Sequence, residues 1–394
     1  MDSTPPTERD RIPRLVIAAT LASLFAFVFS FLFAVLDIND VLRTGLVSDV
    51  NAYRDIGDLI LSGEIPYLGF PVEHLPLSLV PVAILTWLAK MTGTSLVVVW
   101  VPAMAALFVW SVAIVDRTDP RHRVGYRYLA VAAPLLPLVL FRLEPWVVFL
   151  AALGAAAFAS GRYRNGAMWT MAGVLAKGWP IVLAAHPWTM GRRRLAAAII
   201  GVSAVALCAV AVTHGFRDAR AFDGLHSETM LGSIVLVWRH LTGTDLGIGG
   251  AAGAVYVGFP NWTVVINAIP GVILVGIALR AVAGRAADFR DLTIVVGLAV
   301  LGIILVSPLF STQFIFWLTP FVAYASARLR SWYIAAACLG LASVTVFVPT
   351  SPVWAFEVLA KNIAIAWLGV LWATELLAAT PVQRARTSRR NFPV

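Results

Sequence analysis

An acid-rich stretch follows the first hydrophobic span of this chain and holds the residues best suited to chemistry. Seven of the 21 acidic residues lie between positions 37 and 73: Asp37, Asp40, Asp49, Asp55, Asp58, Glu64 and Glu73. Because charges are costly inside lipid, we expect them where water or a substrate reaches them. A carboxylate at the boundary between water and lipid can act as a general base on a hydroxyl. This stretch is therefore the first candidate for an active site.

The spacing of residues 49–62 predicts an amphipathic helix on the outer membrane surface. Ser48 is a suitable N-cap for a helix that begins near Asp49 and ends around Gly63. One face would carry apolar side chains and the other polar ones: Val50, Tyr53, Ile56 and Ile60 against Asp55, Asp58 and Ser62. Asp49 is then either a first-turn acid favoured by the helix dipole or the general base.

The composition is that of an integral membrane protein. Hydrophobic residues make up 60% of the chain, charged residues 13%, and the mean hydropathy is +0.84. Apolar runs of helical length predict an all-α polytopic bundle of about nine to twelve transmembrane or re-entrant helices. The runs are 15–36, 76–90, 95–115, 128–141, 145–160, 166–186, 195–212, 262–279, 292–306, 313–327, 332–349 and 355–378.

The basic residues predict the orientation of this bundle. Arginines cluster at the ends of the apolar runs, so the net charge of +9 indicates positive-inside topology, and no nucleic-acid partner is expected. The predicted organisation is a single membrane domain with two external loops and a short cytoplasmic segment on each side: 1–14 cytoplasmic, 15–380 membrane domain, about 37–75 and 213–261 external, 381–394 a basic cytoplasmic tail.

Two parts of this topology stay open. If 76–90 and 95–115 both span the membrane, the basic loop 116–127 lies outside, so one of the two is re-entrant or the rule fails locally. The run 166–186 is interrupted at Lys177 and has basic flanks, which indicates a hairpin that enters and leaves on one face. Lys177 would serve either the substrate or the structure near the cytoplasmic face.

The chain offers little for metal binding or disulfide formation. Cys208 and Cys338 both lie in hydrophobic runs, so no structural disulfide is expected. No metal site is predicted and no cofactor is required, although dependence on a divalent ion stays open. Glu357 and Lys361 are spaced i,i+4 and are expected to pair with each other as a structural tie.

Four motifs in order resemble the family 87 glycosyltransferases, which are GT-C-type membrane enzymes. Asp49-x-x-x-Tyr53, Gly63-x-x-Pro66-Tyr67 and Val72-Glu73-His74-Leu75-Pro76 resemble the first-loop signature. Lys177-Gly178-Trp179-Pro180 resembles a K-x-x-P segment, and the stretch 306–320 resembles a late S-P-Q-Y-x-x-W-x-x-P element. Gly224 to Glu228 resemble a second-loop R-G-x-x-x-E-S motif without its arginine. The chain departs from the family at His74-Leu75 and at Ser311-Thr312-Gln313-Phe314.

The resemblance implies an inverting transferase at the external face of the plasma (inner) membrane. Such an enzyme moves a sugar, most simply mannose, from a polyprenyl-phosphate donor to a hydroxyl of a cell-envelope glycolipid or glycan. It implies Asp49 as the general base. The residues expected to bind the donor phosphate or substrate are Tyr53, Arg54, Glu73, His74, Lys177, Arg217, Arg220, His226, Glu228 and Gln313.

Two alternatives differ from a mannosyltransferase. One is transfer of arabinose from polyprenyl-phosphate-arabinose. The other is a transporter of lipid-linked glycans, a class that carries ionisable residues near the middle of the membrane and often shows paired halves. The gathering of charges in two loops, without internal similarity of the halves, favours the transferase.

Overall fold

The computed structural model describes residues 8–35, 40–119, 122–219, 225–244, 248–251, 254–257, 262–283, 288–345 and 351–378. It confirms an all-α architecture. The α-helices in these ranges are α1 Glu8–Val35, α2 Asp40–Leu61, α3 Leu79–Thr92, α4 Leu96–Thr118, α5 Val124–Ala132, α6 Leu136–Val139, α7 Glu144–Ala159, α8 Tyr163–Lys177, α9 Ala185–Thr189, α10 Arg193–Ala211, α11 His214–Ala219, α12 Met230–Thr242, α13 Trp262–Ala283, α14 Phe289–Val306, α15 Thr319–Val322, α16 Ala327–Thr345 and α17 Pro352–Ala378.

Short 3₁₀ segments and one small sheet complete the described structure. The 3₁₀ segments are Pro76–Ser78, Ala133–Leu135, Trp179–Ala184 and Thr312–Leu318. The strands β1 Leu225–His226, β2 Ile248–Ala251 and β3 Ala254–Val257 pair antiparallel in the order β1-β3-β2. The predicted external loop 213–261 therefore contains α11, α12 and this sheet.

Six helices within the described residues are long and apolar enough to cross a membrane, which makes this a multi-pass membrane protein. They cover Ile12–Phe29, Leu96–Thr118, Arg193–Ala211, Thr263–Ala283, Phe289–Val306 and Pro352–Ala378. Shorter apolar helices fill the bundle between them: Pro76–Thr92, Val124–Val139, Glu144–Ala159, Met230–Thr242 and Thr312–Val322. Several of the predicted apolar runs are therefore too short to be complete crossings.

The packing of α3 and α4 answers the first open question of topology. α3 runs beside α2, and Lys90 pairs with Asp58 at 2.9 Å. α4 then runs the length of the bundle, from Trp100, which stacks on Tyr53 of α2, to Asp116, which accepts a hydrogen bond from Gly125 N. α3 thus stays at one end of the bundle while α4 crosses it.

This arrangement brings the basic loop 116–127 to the same end as the start of the first span. Leu15 of α1 packs so close to Gly125 that a Cβ there would lie 2.5 Å from Leu15 Cδ2. Arg290 lies at this end too, where it donates to Tyr324 O at 3.2 Å. We call it the basic end of the bundle, because the basic loop, the start of the first span and Arg290 lie together there.

The predicted hairpin at 166–186 is confirmed. α8 begins at Tyr163, and the chain returns to Arg192, whose guanidinium lies 4.2 Å from the centre of the Tyr163 ring. On the way back His186 stacks on Phe158, at the same end. The turn of the hairpin carries Lys177 to the opposite end of the bundle, away from the basic end.

The start of α2 differs from the prediction. The helix begins at Asp40, so Asp49 lies in its interior and Ser48 is not its N-cap. The predicted faces are confirmed, because Val50 and Tyr53 are buried and Asp55 is exposed. Hydrophobic periodicity predicted the buried face correctly, but Ser48, which has the chemistry of a cap, lies inside a continuous helix and therefore gave a false boundary.

Candidate functional site

Asp49 lies next to a buried guanidinium at the end of the bundle opposite the basic end. Its carboxylate forms an ion pair with Arg142, whose side chain is 10% exposed. Arg142 sits in the short break between α6 and α7, where two apolar helices meet. An arginine buried at such a place needs an acidic partner, since an unpaired charge in a dry interior is strongly disfavoured.

Arg142 also lies within the field of two further carboxylates. Burial lowers the pKa of Arg142 to about 10, while Glu144 and Glu228 raise it. The guanidinium therefore keeps its charge at neutral pH. It forms the centre of a group of charged residues that we call the charge cluster: Asp49, Arg142, Glu144, Lys177, Glu228 and Lys361.

The second pair of the charge cluster joins the hairpin turn to α7. Lys177 Nζ lies 3.1 Å from Oε1 of Glu144, the first residue of α7. Lys177 also faces the rings of Phe314 and Trp317, with its Nζ 4.9 Å and 5.6 Å from their centres. The other carboxylate oxygen of Glu144 is buried and has no hydrogen-bond partner within the described part of the chain.

The third pair connects the end of the sheet to the last helix. Lys361 of α17 is fully buried and lies 2.7 Å from Oε2 of Glu228. The same oxygen accepts hydrogen bonds from the backbone N and the hydroxyl of Thr312, at 2.9 Å and 2.8 Å. Asn362 donates to the carbonyl oxygens of Glu228 and Thr229, at 2.9 Å and 3.0 Å. The predicted Glu357–Lys361 tie is therefore wrong, because Glu228 takes Lys361.

Electrostatics fix the ionisation of this third pair. Burial would raise the pKa of the Glu228 carboxyl, but the charge of Lys361 and the hydrogen bonds from Lys361 and Thr312 hold it below its ordinary value. Burial lowers the pKa of His226. His226 is therefore neutral at pH 7, and its Nδ1 accepts a hydrogen bond from Glu228 N at 3.3 Å.

Three packed rings lie beside Asp49, those of Tyr53, Trp100 and His74, and we call them the aromatic wall. Tyr53, one helical turn after Asp49, is buried between Trp100 and His74, with ring centres 4.7 Å and 5.4 Å away. The Tyr67 hydroxyl donates to His74 O at 2.5 Å, which fixes the end of the first loop. Glu73 lies at the edge and is half exposed, with one carboxylate oxygen 4.0 Å from His74 Nε2.

The two predicted loops meet at this end of the bundle. Gly215 N donates to Tyr67 O at 3.2 Å, and Val72 N donates to Gly215 O at 3.3 Å. A Cβ at Gly215 would lie 2.7 Å from Tyr67 O, so only glycine permits this approach. Tyr67 itself has a φ of 69°, which is strained for a residue with a side chain. The first loop is thus held against the start of α11.

Most of the predicted site residues come together here. Those at the charge cluster or packed against it are Asp49, Tyr53, Glu73, His74, Lys177, His226 and Glu228. Lys177 lies at the end of the bundle that carries the charge cluster, and its ion pair with Glu144 joins the hairpin turn to α7 there. Gln313 is half-buried beside Thr312.

Two predicted residues do not join the charge cluster in the described part of the chain, and a third lies outside it. Arg54 is exposed and lies beside Asp55, with the two side chains 3.3 Å apart. Arg217 is exposed on α11, and no contact within the described ranges joins it to the charge cluster. Arg220 lies outside the described residues. Within the described residues, the cations of the charge cluster are Arg142, Lys177 and Lys361.

Sequence reasoning missed Arg142 and Glu144, although a signal was present. Both lie in the narrow break between the apolar runs 128–141 and 145–160, in the order Arg142-Leu143-Glu144-Pro145. Ionisable residues between two apolar membrane helices are costly, so two charges of opposite sign in so short a break indicate a functional or paired role. That placement, with few charges elsewhere in the helices, was enough to mark them as candidates.

The site fits paired charges and aromatic rings better than a metal ion. Within the described residues, no group of three His, Cys, Asp or Glu side chains is arranged to hold a metal.

Comparisons with protein families, with curated proteins and with solved structures find nothing that matches this chain.

Proposed function

We propose that this protein is a membrane glycosyltransferase that moves a sugar from a polyprenyl phosphate to a hydroxyl acceptor. The observation that carries the proposal is the pairing of Asp49 with Arg142 beside an aromatic wall, at the end of the bundle where the two loops meet. The resemblance to family 87 glycosyltransferases supports it, because six of the residues that the resemblance indicates surround this pair. Mannose is the proposed sugar.

The reaction needs one base and one leaving group. The acceptor hydroxyl attacks the anomeric carbon, a new C–O bond forms, and the bond from that carbon to the phosphate oxygen breaks. The electron pair leaves with polyprenyl phosphate, and the hydroxyl proton passes to the Asp49 carboxylate. A positioned base of this kind contributes about 10²–10⁴-fold to the rate.

Fixed cations near the base would stabilise the phosphate as its negative charge grows. Arg142 and Lys177 are the candidates, because each is held in place by a carboxylate and lies in a mostly buried setting. A guanidinium presents a planar fork of donors that suits phosphate oxygens.

The proposed substrates follow from the membrane setting. A polyprenyl chain would lie in the bilayer with its phosphate at the charge cluster, and the acceptor would be a cell-envelope glycolipid or glycan. Because the opposite end is basic, the charge rule assigns the charge cluster to the external side of the plasma membrane. The proposal therefore describes a multi-pass membrane enzyme whose active site lies on the external side.

The test offers membranes containing the protein two labelled donors, polyprenyl-phosphate-mannose and polyprenyl-phosphate-arabinose, with a cell-envelope lipid extract as acceptor. Membranes without the protein are the control. We expect label to move from polyprenyl-phosphate-mannose into a new product. A product from the arabinose donor alone would change the sugar but keep the reaction class. No product from either donor would contradict the proposal.

A second candidate function is a carrier of lipid-linked glycans. One observation favours it: Lys361 is fully buried within the span Pro352–Ala378, and ionisable residues inside spans often line transport paths. Reconstituted vesicles distinguish the two candidates. Movement of a labelled lipid-linked glycan across the vesicle membrane, without any change in its chemical identity, would indicate the carrier.

A further inference from the structure

A cavity at the basic end has no part in the proposed reaction. It has a volume of about 420 Å³ and lies between α5 and α16, lined by His122, Arg123, Tyr126, Arg127, Ala130, Val131, Ala327, Arg330, Ser331 and Ile334. This volume lies in the usual range for small-molecule sites, about 300–1,000 Å³. The start of the first span, at Leu15, lies at the same end, so the cavity is far from the charge cluster along the bundle.

Positive charge dominates the cavity wall. Arg123, Arg127 and Arg330 all line it, and no ion pair with a carboxylate is found for any of them within the described ranges. Burial lowers the pKa of Arg330, and the positive charges of Arg127 and Arg290 lower it further. Several cations held together without a counter-charge favour the binding of an anion.

The nearby acids are already engaged. Asp119 lies 2.7 Å from Nδ1 of His122, and Asp116 accepts a hydrogen bond from Gly125 N at 2.9 Å. Glu375 belongs to α17, and it accepts a hydrogen bond at 2.9 Å from Ser326, the residue before α16. No carboxylate is among the lining residues, and Arg330 Nη1 donates only to a backbone carbonyl, that of Ala325, so the guanidinium charges have no carboxylate partner within the described ranges.

Two helices add to the positive field. α5 begins directly after Arg123 and α16 begins at Ala327, so both direct their N-terminal ends toward the cavity. A helix N-terminus favours a negative charge, although Asp116 already takes one of the free N–H groups of α5. Arg123, which lines the cavity, is the residue directly before α5 and has a φ of 52°.

Beside the arginines, His122, Tyr126 and Ser331, the wall is apolar. Ala130, Val131 and Ile334 extend the lining from the arginines along α5 and α16. A cavity that is cationic at one end and apolar along the helices matches a molecule with a charged head and a hydrocarbon tail. Basic pockets between membrane helices recognise the phosphate headgroups of anionic lipids in this way.

We propose that the cavity between α5 and α16 binds the phosphate headgroup of an anionic membrane lipid, with Arg123, Arg127 and Arg330 as its ligands. The apolar side chains would pack against the first part of the acyl chains. This site is distinct from the charge cluster and does not depend on the glycosyltransferase proposal.

The test measures lipid binding to the full chain, purified in a neutral detergent, by native mass spectrometry and by the thermal unfolding midpoint. The probes are phosphatidylglycerol, phosphatidylcholine with the same acyl chains, and inorganic phosphate. The variants are the double change Arg127→Gln with Arg330→Gln and the charge-keeping change Arg127→Lys. The matched control is Arg193→Gln, an exposed arginine outside the cavity wall.

We expect phosphatidylglycerol to bind the wild type and raise its midpoint, and phosphatidylcholine and inorganic phosphate to have little effect. The double variant should bind phosphatidylglycerol about 30-fold more weakly. Arg127→Lys and Arg193→Gln should bind it nearly as well as the wild type. Equal binding of the two lipids, unchanged binding by a folded double variant, or a response to inorganic phosphate alone would each overturn the proposal.

Discussion

Lys361 Nζ lies 2.7 Å from Oε2 of Glu228, although 133 residues separate the two in the chain. The pair joins α17 to the segment between β1 and α12, and Thr312 completes it from a 3₁₀ segment. Three distant parts of the chain therefore depend on one buried ionic contact. Such a contact specifies which helices meet, and the loss of one partner leaves a charge in the dry interior.

Replacing Lys361 with methionine should destabilise the protein by about 3–5 kcal/mol, because Glu228 is left buried and unpaired. The thermal unfolding midpoint in detergent should fall by at least about 5 °C. The double variant Glu228→Gln with Lys361→Met removes both charges and should recover much of the loss. A single variant as stable as the wild type would contradict the assigned pairing.

The stability of the protein should fall in acid through Glu228. The folded-state pKa of this carboxyl lies below its ordinary value of 4.5, so its stabilising contribution is fully present above pH 4.5. The contribution is lost as the pH falls from there through the lower folded-state value. Unfolding midpoints measured from pH 7 to pH 3.5 should drop less in Glu228→Gln than in the wild type. If the unfolding midpoints of the two proteins fell equally with pH, the lowered pKa of Glu228 would be contradicted.

A close contact between α13 and α14 gives a test of the packing. A Cβ at Gly271 would lie 2.3 Å from Gly302 O, whereas at Gly276 on the same helix it would meet open space. Gly271→Ala should destabilise the protein by about 1–3 kcal/mol through overpacking. Gly276→Ala should be neutral or slightly stabilising, since alanine favours helices. The comparison is made by thermal unfolding in one detergent, and equal midpoints for the two variants would show that the helices do not meet at Gly271.

Lys177 should matter to catalysis beyond its role in folding. We expect Lys177→Gln to lower sugar transfer about 10²–10³-fold, because it removes a fixed charge near the leaving phosphate. The double variant Glu144→Gln with Lys177→Gln relieves the unpaired carboxylate and should restore the unfolding midpoint without restoring transfer. Lys90→Gln is the matched control, because Lys90 forms an exposed pair with Asp58 that is worth about 0–1 kcal/mol. Transfer by the folded double variant at the wild-type rate would exclude Lys177 from the reaction.

Local patterns predicted the fold class, the buried face of α2 and the hairpin at Lys177. Each of these depends on hydrophobic periodicity or on charges that flank an apolar run, and both signals are written in neighbouring residues. The start of α2 was missed because Ser48 has the chemistry of a cap while the helix continues through it. A local cap signal is a weak guide to the residue at which a helix begins.

The charge cluster itself could be predicted only in part. Motif resemblance pointed to Asp49, Lys177 and Glu228, but not to the residues that pair with them. The i,i+4 rule paired Lys361 with Glu357, whereas a deeply buried lysine pairs with whichever carboxylate the fold brings to it. Which cations of a membrane bundle meet which acids is decided by helix packing, and one sequence does not contain that information in any local pattern.

The most direct test of the account is sugar transfer by Asp49→Asn beside the matched control Asp55→Asn. Asp55 lies on the exposed face of the same helix and pairs only with its neighbour Arg54 among the residues that the structure describes. We expect Asp49→Asn to fold with a lower unfolding midpoint in detergent, because Arg142 loses its ion-pair partner, and to lose about 10²–10⁴-fold in transfer rate. Asp55→Asn should keep the wild-type rate. Full activity of a folded Asp49→Asn protein would contradict the assignment of Asp49 as the general base.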